Sequence, residues 1–309
     1  MTTEPVGSID VGIVAYGAEG LLRRALQSLS ADLAVATVTV VDHLPPAARA
    51  AAAGVGARYI EDPTNPGFGA GQNRAFANGA APFFLILNPD AEMVEGALCA
   101  GVAEMQRRPD VVAIQGVIAH RSDAGVDRSG GRELTWVHLV GRATHARSLL
   151  GLRPVRWLVQ RTRLRDTTDR IPEQSTEVQW LAATALLVRR SAMEEIGGFD
   201  STYFLYGEDL DLCRRLRQQG GTLLALPDPW ALHEDGSTSS GWWRRELVWW
   251  EGTMRFAALN WSTLGLVLAS TAAALQCVQL VVRRPRSIAT AVAALLIRPW
   301  RARRGRQGR

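Results

Sequence analysis

The chain has 309 residues, of which 47% are hydrophobic, so it can form one large domain with an appendage or two modest domains, and global disorder is excluded. Its three cysteines are far apart and odd in number, which excludes a disulfide framework and a paired cysteine metal site. All 35 basic residues are arginine; nine lie in residues 283–309, where there is no acid, and the remainder carries 26 arginines against 30 acids. Because the net positive charge is confined to one end, we expect an anionic membrane surface as partner and no nucleic acid.

Segments with strand character alternate with segments of helical periodicity through the first 116 residues. Strands are predicted at 9–15, 36–42, 57–62, 82–88 and 111–116, and helices at 19–29, 69–80 and 94–108. This alternation is typical of an α/β domain with a mainly parallel central sheet. Ligands bind at the carboxyl ends of the strands in such sheets, so Asp42 and Asp90, each at such an end, are candidate binding residues.

Residues 119–178 depart from this pattern because they are rich in arginine and lack hydrophobic periodicity. We interpret them as an excursion from the core that forms a lid or an acceptor region. Strand character returns at 178–190. We expect a catalytic α/β domain at 1–250 and a helical, arginine-rich, membrane-associating tail at 251–309.

The tail contains an uncharged stretch, residues 256–282, that is long enough to span a bilayer. A single span with a cytoplasmic N-terminal domain would place nine arginines outside, against the positive-inside tendency. A hairpin lying in or dipping into the cytoplasmic leaflet fits better, with a true span and a tail packed on the domain or on a partner as alternatives. The first ten residues lack signal-peptide features, so we expect a location at the cytoplasmic face of the cell membrane.

Two segments carry residue types suited to a phosphorylated ligand. NPGFGAGQNRAFANGA (65–80) leads through glycines into a helix whose backbone amides would suit a diphosphate, although a tight loop explains the glycines equally well. In FFLILNPDAE, Asn88 and Asp90 follow a buried strand. A carboxylate there suits Mg²⁺ or Mn²⁺, which take oxygen ligands and bridge to phosphates. The alternative is that Asp90 caps the next helix or organises the turn.

The segment FLYGEDLDLCRRL (204–216) concentrates three acids at the start of a predicted helix. Asp211 can form an ion pair with Arg215 one turn later, and this pair, which stabilises the helix, explains one of the three acids without a role in chemistry. Glu208 and Asp209 are adjacent, and a helix start needs only one cap, so one of the two is a candidate base facing a ligand. His233, in WALHEDGS, is by itself more often structural than a ligand.

The order of these motifs resembles glycosyltransferase family 2, most closely its bacterial rhamnosyltransferase-type members. The segments that carry the resemblance are NPGFGAGQNRAF, LILNPD, GGFDSTYFLYGEDLDLCRRL and ALHEDGS, and it extends over about residues 8–240. It implies a GT-A fold and inverting transfer from a nucleoside-diphosphate-sugar, with Mg²⁺ or Mn²⁺, to a glycan or a polyprenyl-diphosphate-linked acceptor in cell-wall and surface polysaccharide synthesis.

The resemblance also implies roles for individual residues. Asp209 would be the general base, and Glu208 would position the acceptor or that base. Asp90 would bind the metal, with Asn88 in the place of the motif's first acid, and His233 would complete the metal site or contact the diphosphate. Asp42 would face the nucleoside, and Trp180 would shape the acceptor side. The expected donor-binding residues are Tyr16, Asp42, Gly67, Phe68, Asn73 and Asn88.

The N-terminal third departs from the family pattern at AYGAEG, after the first strand, and at VVDHLPPA, after the second. The nucleotide base therefore stays open among uridine, thymidine and guanosine. The same departures motivate an alternative, a non-catalytic sugar-nucleotide-binding or scaffold protein at the membrane. An oxidoreductase on a Rossmann sheet ranks lowest, because it would need G-x-G-x-x-G after the first strand and AYGAEG does not supply it.

Overall fold

The computed structural model describes residues 8–30, 32–121, 125–126, 130–144, 172–234, 242–283 and 292–307. The chain divides into two compact units. The α/β unit comprises residues 1–132, 168–204 and 209–239, and the helical unit comprises residues 133–167, 205–208 and 240–309. The predicted boundary at residue 250 lies inside a helix, Trp242–Asn260. The predicted lid or acceptor region falls in large part on residues outside the described ranges.

The elements of the α/β unit follow the predicted alternation of strands and helices. The strands are β1 (Ile9–Ala15), β2 (Val35–Asp42), β3 (Arg58–Glu61), β4 (Phe83–Leu87), β5 (Ala91–Met93), β6 (Val111–His120), β7 (Gly130–Gly131), β8 (Thr176–Val178), β9 (Trp180–Leu181), β10 (Ala185–Arg189) and β11 (Thr222–His233). The helices are α1 (Glu19–Leu29), α2 (Arg49–Ala53), α3 (Phe68–Phe76), α4 (Ala97–Arg107), α6 (Arg190–Glu195) and α7 (Glu208–Gln218). Helix α5 lies between α4 and α6 in the chain and belongs to the helical unit, described below. The predicted strands and helices of the first 116 residues are confirmed, with α3 ending four residues early.

The central sheet has the strand order β3-β2-β1-β4-β10-β6-β11-β5, and β8 also pairs with β11. The neighbours β3-β2-β1-β4 are parallel, as are β6 and β11. Strand β10 is antiparallel to both β4 and β6, and β5 and β8 are antiparallel to β11. The sheet is therefore mixed, and the prediction of a mainly parallel sheet is wrong for β10, β5 and β8, which pair antiparallel with their neighbours. The reason lies in β10, which is entered directly from β9 and not through a crossover helix that would restore the parallel direction.

Both faces of this sheet are covered, which explains why β1 and β4 are continuous apolar runs with every residue buried. Helix α1 buries the stripe Leu22, Ala25, Leu26 and Leu29 in the core on one face. Side chains of α3 and α7, including Ala75, Leu212 and Leu216, belong to the core on the other face. The pairing directions place the carboxyl ends of β1, β2, β3, β4, β6 and β11, together with the amino end of β10, at one edge of the sheet.

The helical unit contains α5 (Trp136–Ala143), α8 (Trp242–Asn260), α9 (Thr263–Arg283), a π-helical turn (Ala293–Ile297) and α10 (Arg298–Gln307). Its core includes Leu139 of α5, Trp250 and Met254 of α8, and Leu266 and Ala273 of α9. None of the helices in the described ranges is long and apolar enough to cross a membrane.

The uncharged stretch 256–282 is interrupted between α8 and α9, so the single continuous span considered above is wrong. Ser262 caps the new helix: its hydroxyl accepts a hydrogen bond from the Gly265 N–H at 3.2 Å. Arg303 of α10 donates to the Trp261 carbonyl at 2.8 Å and to Thr263 Oγ1 at 3.1 Å. The charge that stabilises this turn therefore comes from 40 residues further along the chain, where a local hydropathy window does not reach.

Candidate active site

The sheet edge brings Asp90 and His233 together although 143 residues separate them in the sequence. Strands β5 and β11 pair with Ala91 opposite His233. His233 Nε2 lies 3.2 Å from Asp90 Oδ1, and both side chains are largely buried. Helix α4 begins after Gly96, so Asp90 is not its N-cap, whereas a role of Asp90 in organising the turn after β4 stays open. The predicted pairing of these two residues in one site agrees with this geometry.

One carboxylate and one imidazole fit a divalent cation that takes its remaining ligands from phosphate and water. Mg²⁺ in particular is commonly held by one or two carboxylates together with substrate phosphates. Within the described residues, no group of three or more His, Cys, Asp or Glu side chains forms a complete protein cage for a metal. The donor set at this edge is thus suited to a cation that arrives with, or is completed by, a diphosphate.

Arginines neutralise the other two acids that neighbour this pair. Arg24 of α1 donates to Glu92 at 2.9 Å and also binds Glu234, and Arg121 binds Glu92 as well. Glu92 and Glu234 are therefore engaged in ion pairs beside Asp90 and His233. Sequence reasoning missed Arg24, because an arginine on the surface of an amphipathic helix gives no local signal of a remote partner.

Asp209 lies in the first turn of α7 in a setting unlike that of an exposed carboxylate. Its Oδ1 accepts the Leu210 N–H at 2.8 Å. Burial raises the pKa of the Asp209 carboxyl above its usual range, opposed by N–H groups of Leu210, Trp180 and Ala183. The indole N–H of Trp180 lies beside the carboxyl but has no hydrogen-bond partner of normal geometry among the described residues. A carboxylate with a raised pKa is suited to accept a proton.

Asp211, two residues later, is held by a cation instead. Arg215 Nε donates to Asp211 Oδ2 at 2.6 Å, and Arg215 Nη1 donates to the carbonyls of Ile196 and Gly198. The predicted i,i+4 pair is confirmed. Asp211 therefore anchors α7 to the loop before it, which leaves Asp209 as the acid of this segment available for chemistry.

Glu208 is the first residue of α7, is buried, and groups by its contacts with the helical unit. The two residues before it adopt left-handed backbone conformations, with φ of 64° at Tyr206 and 85° at Gly207. A left-handed backbone conformation costs energy at a non-glycine residue such as Tyr206. Within the helical unit, a Cβ on Gly252 of α8 would lie 1.9 Å from the Tyr206 carbonyl oxygen, so only glycine permits this close approach.

Backbone contacts connect Asp209 to the turn that bears Asp90 of the Asp90–His233 pair. The Asn88 N–H donates to the Thr184 carbonyl at 2.8 Å. Ala183, the residue before Thr184, contributes a backbone N–H to the Asp209 carboxyl. Asp209 and the turn that bears Asp90 are therefore linked through two adjacent residues of the chain entering β10.

Gly67, Phe68 and Asn73 hold the segment that precedes α7. Gly67 has φ of 110°, and a Cβ there would lie 2.3 Å from the Phe204 carbonyl oxygen, which accepts the Phe68 N–H at 2.9 Å. The amide of Asn73 donates to the Phe199 carbonyl and accepts the Phe199 N–H, each at 2.9 Å. Gly67 therefore permits a close backbone approach to Phe204, and contact of this segment with a diphosphate stays a prediction.

The other predicted donor residues stand at the ends of β1, β2 and β4. Tyr16 is exposed, and Asn88 is partly exposed. Asp42 is fully buried and accepts hydrogen bonds at 2.9 Å from the N–H groups of Leu44 and Ala48 and from the Tyr59 hydroxyl. Burial, with the bond to Asp42, raises the pKa of Tyr59 to about 12, so the phenol stays a donor. The Asp42 carboxylate here shapes the loop after β2.

This geometry agrees with the comparison to known protein families. The family model described as "Glycosyltransferase like family 2" matches residues 7–252. The chain belongs to this family. The match covers all described residues of the α/β unit and the first half of α8.

Characterised relatives match over shorter segments. An N-acetylglucosaminyl-diphospho-decaprenol L-rhamnosyltransferase of Mycobacterium tuberculosis is 34% identical over 104 residues, covering 26% of this chain and 34% of the relative. The rhamnosyltransferase WbbL of Escherichia coli is 35% identical over 94 residues, covering 29% of this chain and 36% of the relative. The chain spans about a third of the length of these curated relatives.

Solved glycosyltransferases share the fold over most of the chain. Staphylococcus aureus TarS 1-349 superposes with a TM-score of 0.52 at 14% identity, covering 98% of this chain and 92% of that one. The mannosyltransferase PcManGT of Pyrobaculum calidifontis, solved with GDP-Man and Mn²⁺, superposes with a TM-score of 0.54 at 15% identity. The match covers 99% of this chain and 86% of that one. The protein thus has an α/β, GT-A-like fold with a mixed central sheet.

Proposed function

We propose that this protein is an inverting, metal-dependent glycosyltransferase that transfers a sugar, rhamnose as the first candidate, from a nucleoside-diphosphate-sugar to a hydroxyl group. The observation that carries this proposal is that Ala183 and Thr184 link the Asp209 carboxyl, whose pKa is raised, to the turn that bears Asp90 of the Asp90–His233 pair. Rhamnose is the first candidate because two characterised relatives are named rhamnosyltransferases.

In the proposed reaction, Asp209 takes the proton of the acceptor hydroxyl while that oxygen attacks the anomeric carbon. A new bond forms between the acceptor oxygen and the anomeric carbon, and the bond from that carbon to the diphosphate breaks on the opposite face. The configuration at the anomeric carbon is inverted in this step. Glu208 positions the acceptor or the base, and Trp180, whose indole N–H lies beside the Asp209 carboxyl, shapes the acceptor side.

Asp90 and His233 would hold Mg²⁺ or Mn²⁺, which neutralises charge on the departing diphosphate. The geometric fit described above and the Mn²⁺ in two solved glycosyltransferases of similar fold support this assignment. Tyr16, Phe68 and Asn88 are the proposed donor contacts. Gly67, Asn73 and Asp42 act through the backbone segments that they hold.

A lipid-linked acceptor is the second part of the proposal. The name of the mycobacterial relative specifies a diphospho-decaprenol acceptor, and a polyprenyl chain resides in a membrane. With the basic C-terminal end of the chain, this supports a location at the cytoplasmic face of the cell membrane, against an anionic surface, in cell-wall or surface polysaccharide synthesis.

A non-catalytic sugar-nucleotide-binding protein is the second candidate, motivated by the departures from the family pattern after the first two strands. Thermal-shift assays with UDP-, dTDP- and GDP-sugars, with and without Mn²⁺, followed by transfer to N-acetylglucosaminyl-diphosphate-polyprenol, separate the two. Stabilisation by one donor only with Mn²⁺, and product carrying the new sugar, are the expected results. Donor binding without product for any acceptor would favour the second candidate, and no binding of any donor would contradict both.

A further inference from the structure

Helix α9 presents an unusual surface to its surroundings. Four large aliphatic side chains on it are exposed: Leu264 (69%), Val267 (45%), Leu275 (41%) and Val278 (61%). With the exposed Thr271, they follow one another at intervals of three and four residues, so they share one face of the helix. From Leu264 to Val278 this apolar stripe is about 21 Å long at the rise of an α-helix.

The opposite face of α9 already has its partners. Leu266, Ala269, Ala273 and Cys277 are buried in the core of the helical unit. An ordinary surface helix compensates such a buried face with charged residues on the outside. Helix α9 has no charged residue before Arg283, its last position. The stripe is therefore a second apolar face and not the rim of the first.

The polar groups on and near the stripe are satisfied within the helix. The Thr271 hydroxyl donates to the Val267 carbonyl at 3.2 Å, and the Ser270 hydroxyl donates to the Leu266 carbonyl at 2.8 Å. Neither hydroxyl needs water for its proton, so the face can enter an apolar medium at a low cost in desolvation.

The surrounding charge selects between two possible occupants. From residue 252 to the end, the chain has ten arginines and no acidic residue. Two copies meeting through this face would bring like charges together, whereas an anionic lipid surface would attract them. An exposed apolar helix face in an arginine-rich, acid-free part of the chain suits binding in the interfacial plane of an anionic membrane.

We infer that the stripe formed by Leu264, Val267, Thr271, Leu275 and Val278 is the surface by which this protein binds an anionic phospholipid bilayer. The inference deepens the membrane location in the proposed function by naming the contact face. Membrane binding through this stripe does not depend on catalysis, so the inference and the proposed transfer reaction can fail independently.

The test is flotation of the full-length protein with vesicles of phosphatidylcholine alone and with vesicles that also contain phosphatidylglycerol. Wild type should float with the anionic vesicles, and the double variant Leu264→Asp, Val278→Asp should lose about tenfold or more in partitioning, because two large side chains no longer enter the lipid. Leu264→Ser, Val278→Ser tests the same face without new charge. Leu33→Asp is the matched control, since Leu33 is 64% exposed on the α/β unit, and it should bind like wild type.

Equal vesicle binding by wild type and both double variants would overturn the inference, as would a wild type that floats with neither vesicle. A wild-type dimer by light scattering that becomes monomeric in the double variants, with vesicle binding unchanged, would overturn it in favour of a second copy. Donor binding, followed by thermal shift in the same variants, should stay at the wild-type level. Lost flotation with retained donor binding supports the inference whatever the outcome of the transfer assay.

Discussion

The α/β unit collects acidic side chains at one edge of its sheet, whereas beyond Glu251 the helical unit has no acid and presents an uncharged helix face. In the α/β unit each acid has its own environment: Asp211 is paired with Arg215, and Asp209 is partly buried with a raised pKa. In the helical unit no single side chain stands out, and the feature is a surface of several residues. Point substitutions should therefore act sharply in the first unit and cumulatively in the second.

The largest effect is expected at Asp209. Asp209→Asn keeps the shape of the side chain and removes the base, so the transfer rate should fall about 10²–10⁴-fold while donor affinity stays near that of wild type. Asp211→Asn is the matched control: it breaks an ion pair and should lower stability, but it should leave turnover within a few-fold of wild type. Steady-state transfer assays and donor titrations would measure both. Similar losses of turnover in the two variants would erase the distinction between these acids.

A smaller effect is expected at the Asp90–His233 pair, the proposed metal site. Asp90→Ala should weaken Mn²⁺-dependent donor binding on the order of 10²-fold, because a direct oxygen ligand is lost. Glu92→Ala removes a neighbouring acid that is held by Arg24 and Arg121 and should have a much weaker effect. Donor titrations by calorimetry over a range of Mn²⁺ concentrations would compare them. If the metal dependence of Asp90→Ala matched that of wild type, the cation site would lie elsewhere.

The smallest effect concerns stability in the helical unit. In Gly252→Ala the new Cβ would meet the Tyr206 carbonyl oxygen at 1.9 Å, so the free energy of unfolding should fall by about 1–3 kcal/mol. Gly20→Ala, in α1, meets nothing within 4 Å and should be neutral or raise stability by about 0.4–1 kcal/mol. Urea denaturation of the two variants measures the difference. A Gly252→Ala protein as stable as wild type would mean that the turn before Glu208 yields without cost.

Much of the α/β unit could be predicted from sequence because its signals are local. Apolar runs such as β1 and β4, and the helical stripe of α1, follow from periodicity, and the ordered motifs located Asp90, Asp209 and His233. The direction of β10 could not be predicted, because it depends on the path that the chain takes between β6 and β10. Arg24 and Arg303 were missed for a related reason: each acts on residues far away in the sequence.

The contacts that the site residues make within the protein could be predicted only in part. Gly67 and Asn73 pack on Phe204 and Phe199, and their contact with a donor stays a prediction. Sequence letters do not distinguish spacing required by backbone packing from spacing required by a ligand. The uncharged stretch 256–282 suggested a membrane segment through composition alone, since the turn at Ser262 has no strong breaker such as proline.

The pH dependence of kcat/KM for transfer tests the central claim, that Asp209 is the base, most directly. A base must be deprotonated, so activity should be present above the pKa of Asp209 and be lost as the pH falls through it. Because burial raises that pKa, the acidic limb should lie above the usual aspartate value of about 3.9. The limb should persist in Asp211→Asn and vanish from the residual activity of Asp209→Asn. An acidic limb that is unchanged in Asp209→Asn would contradict the account.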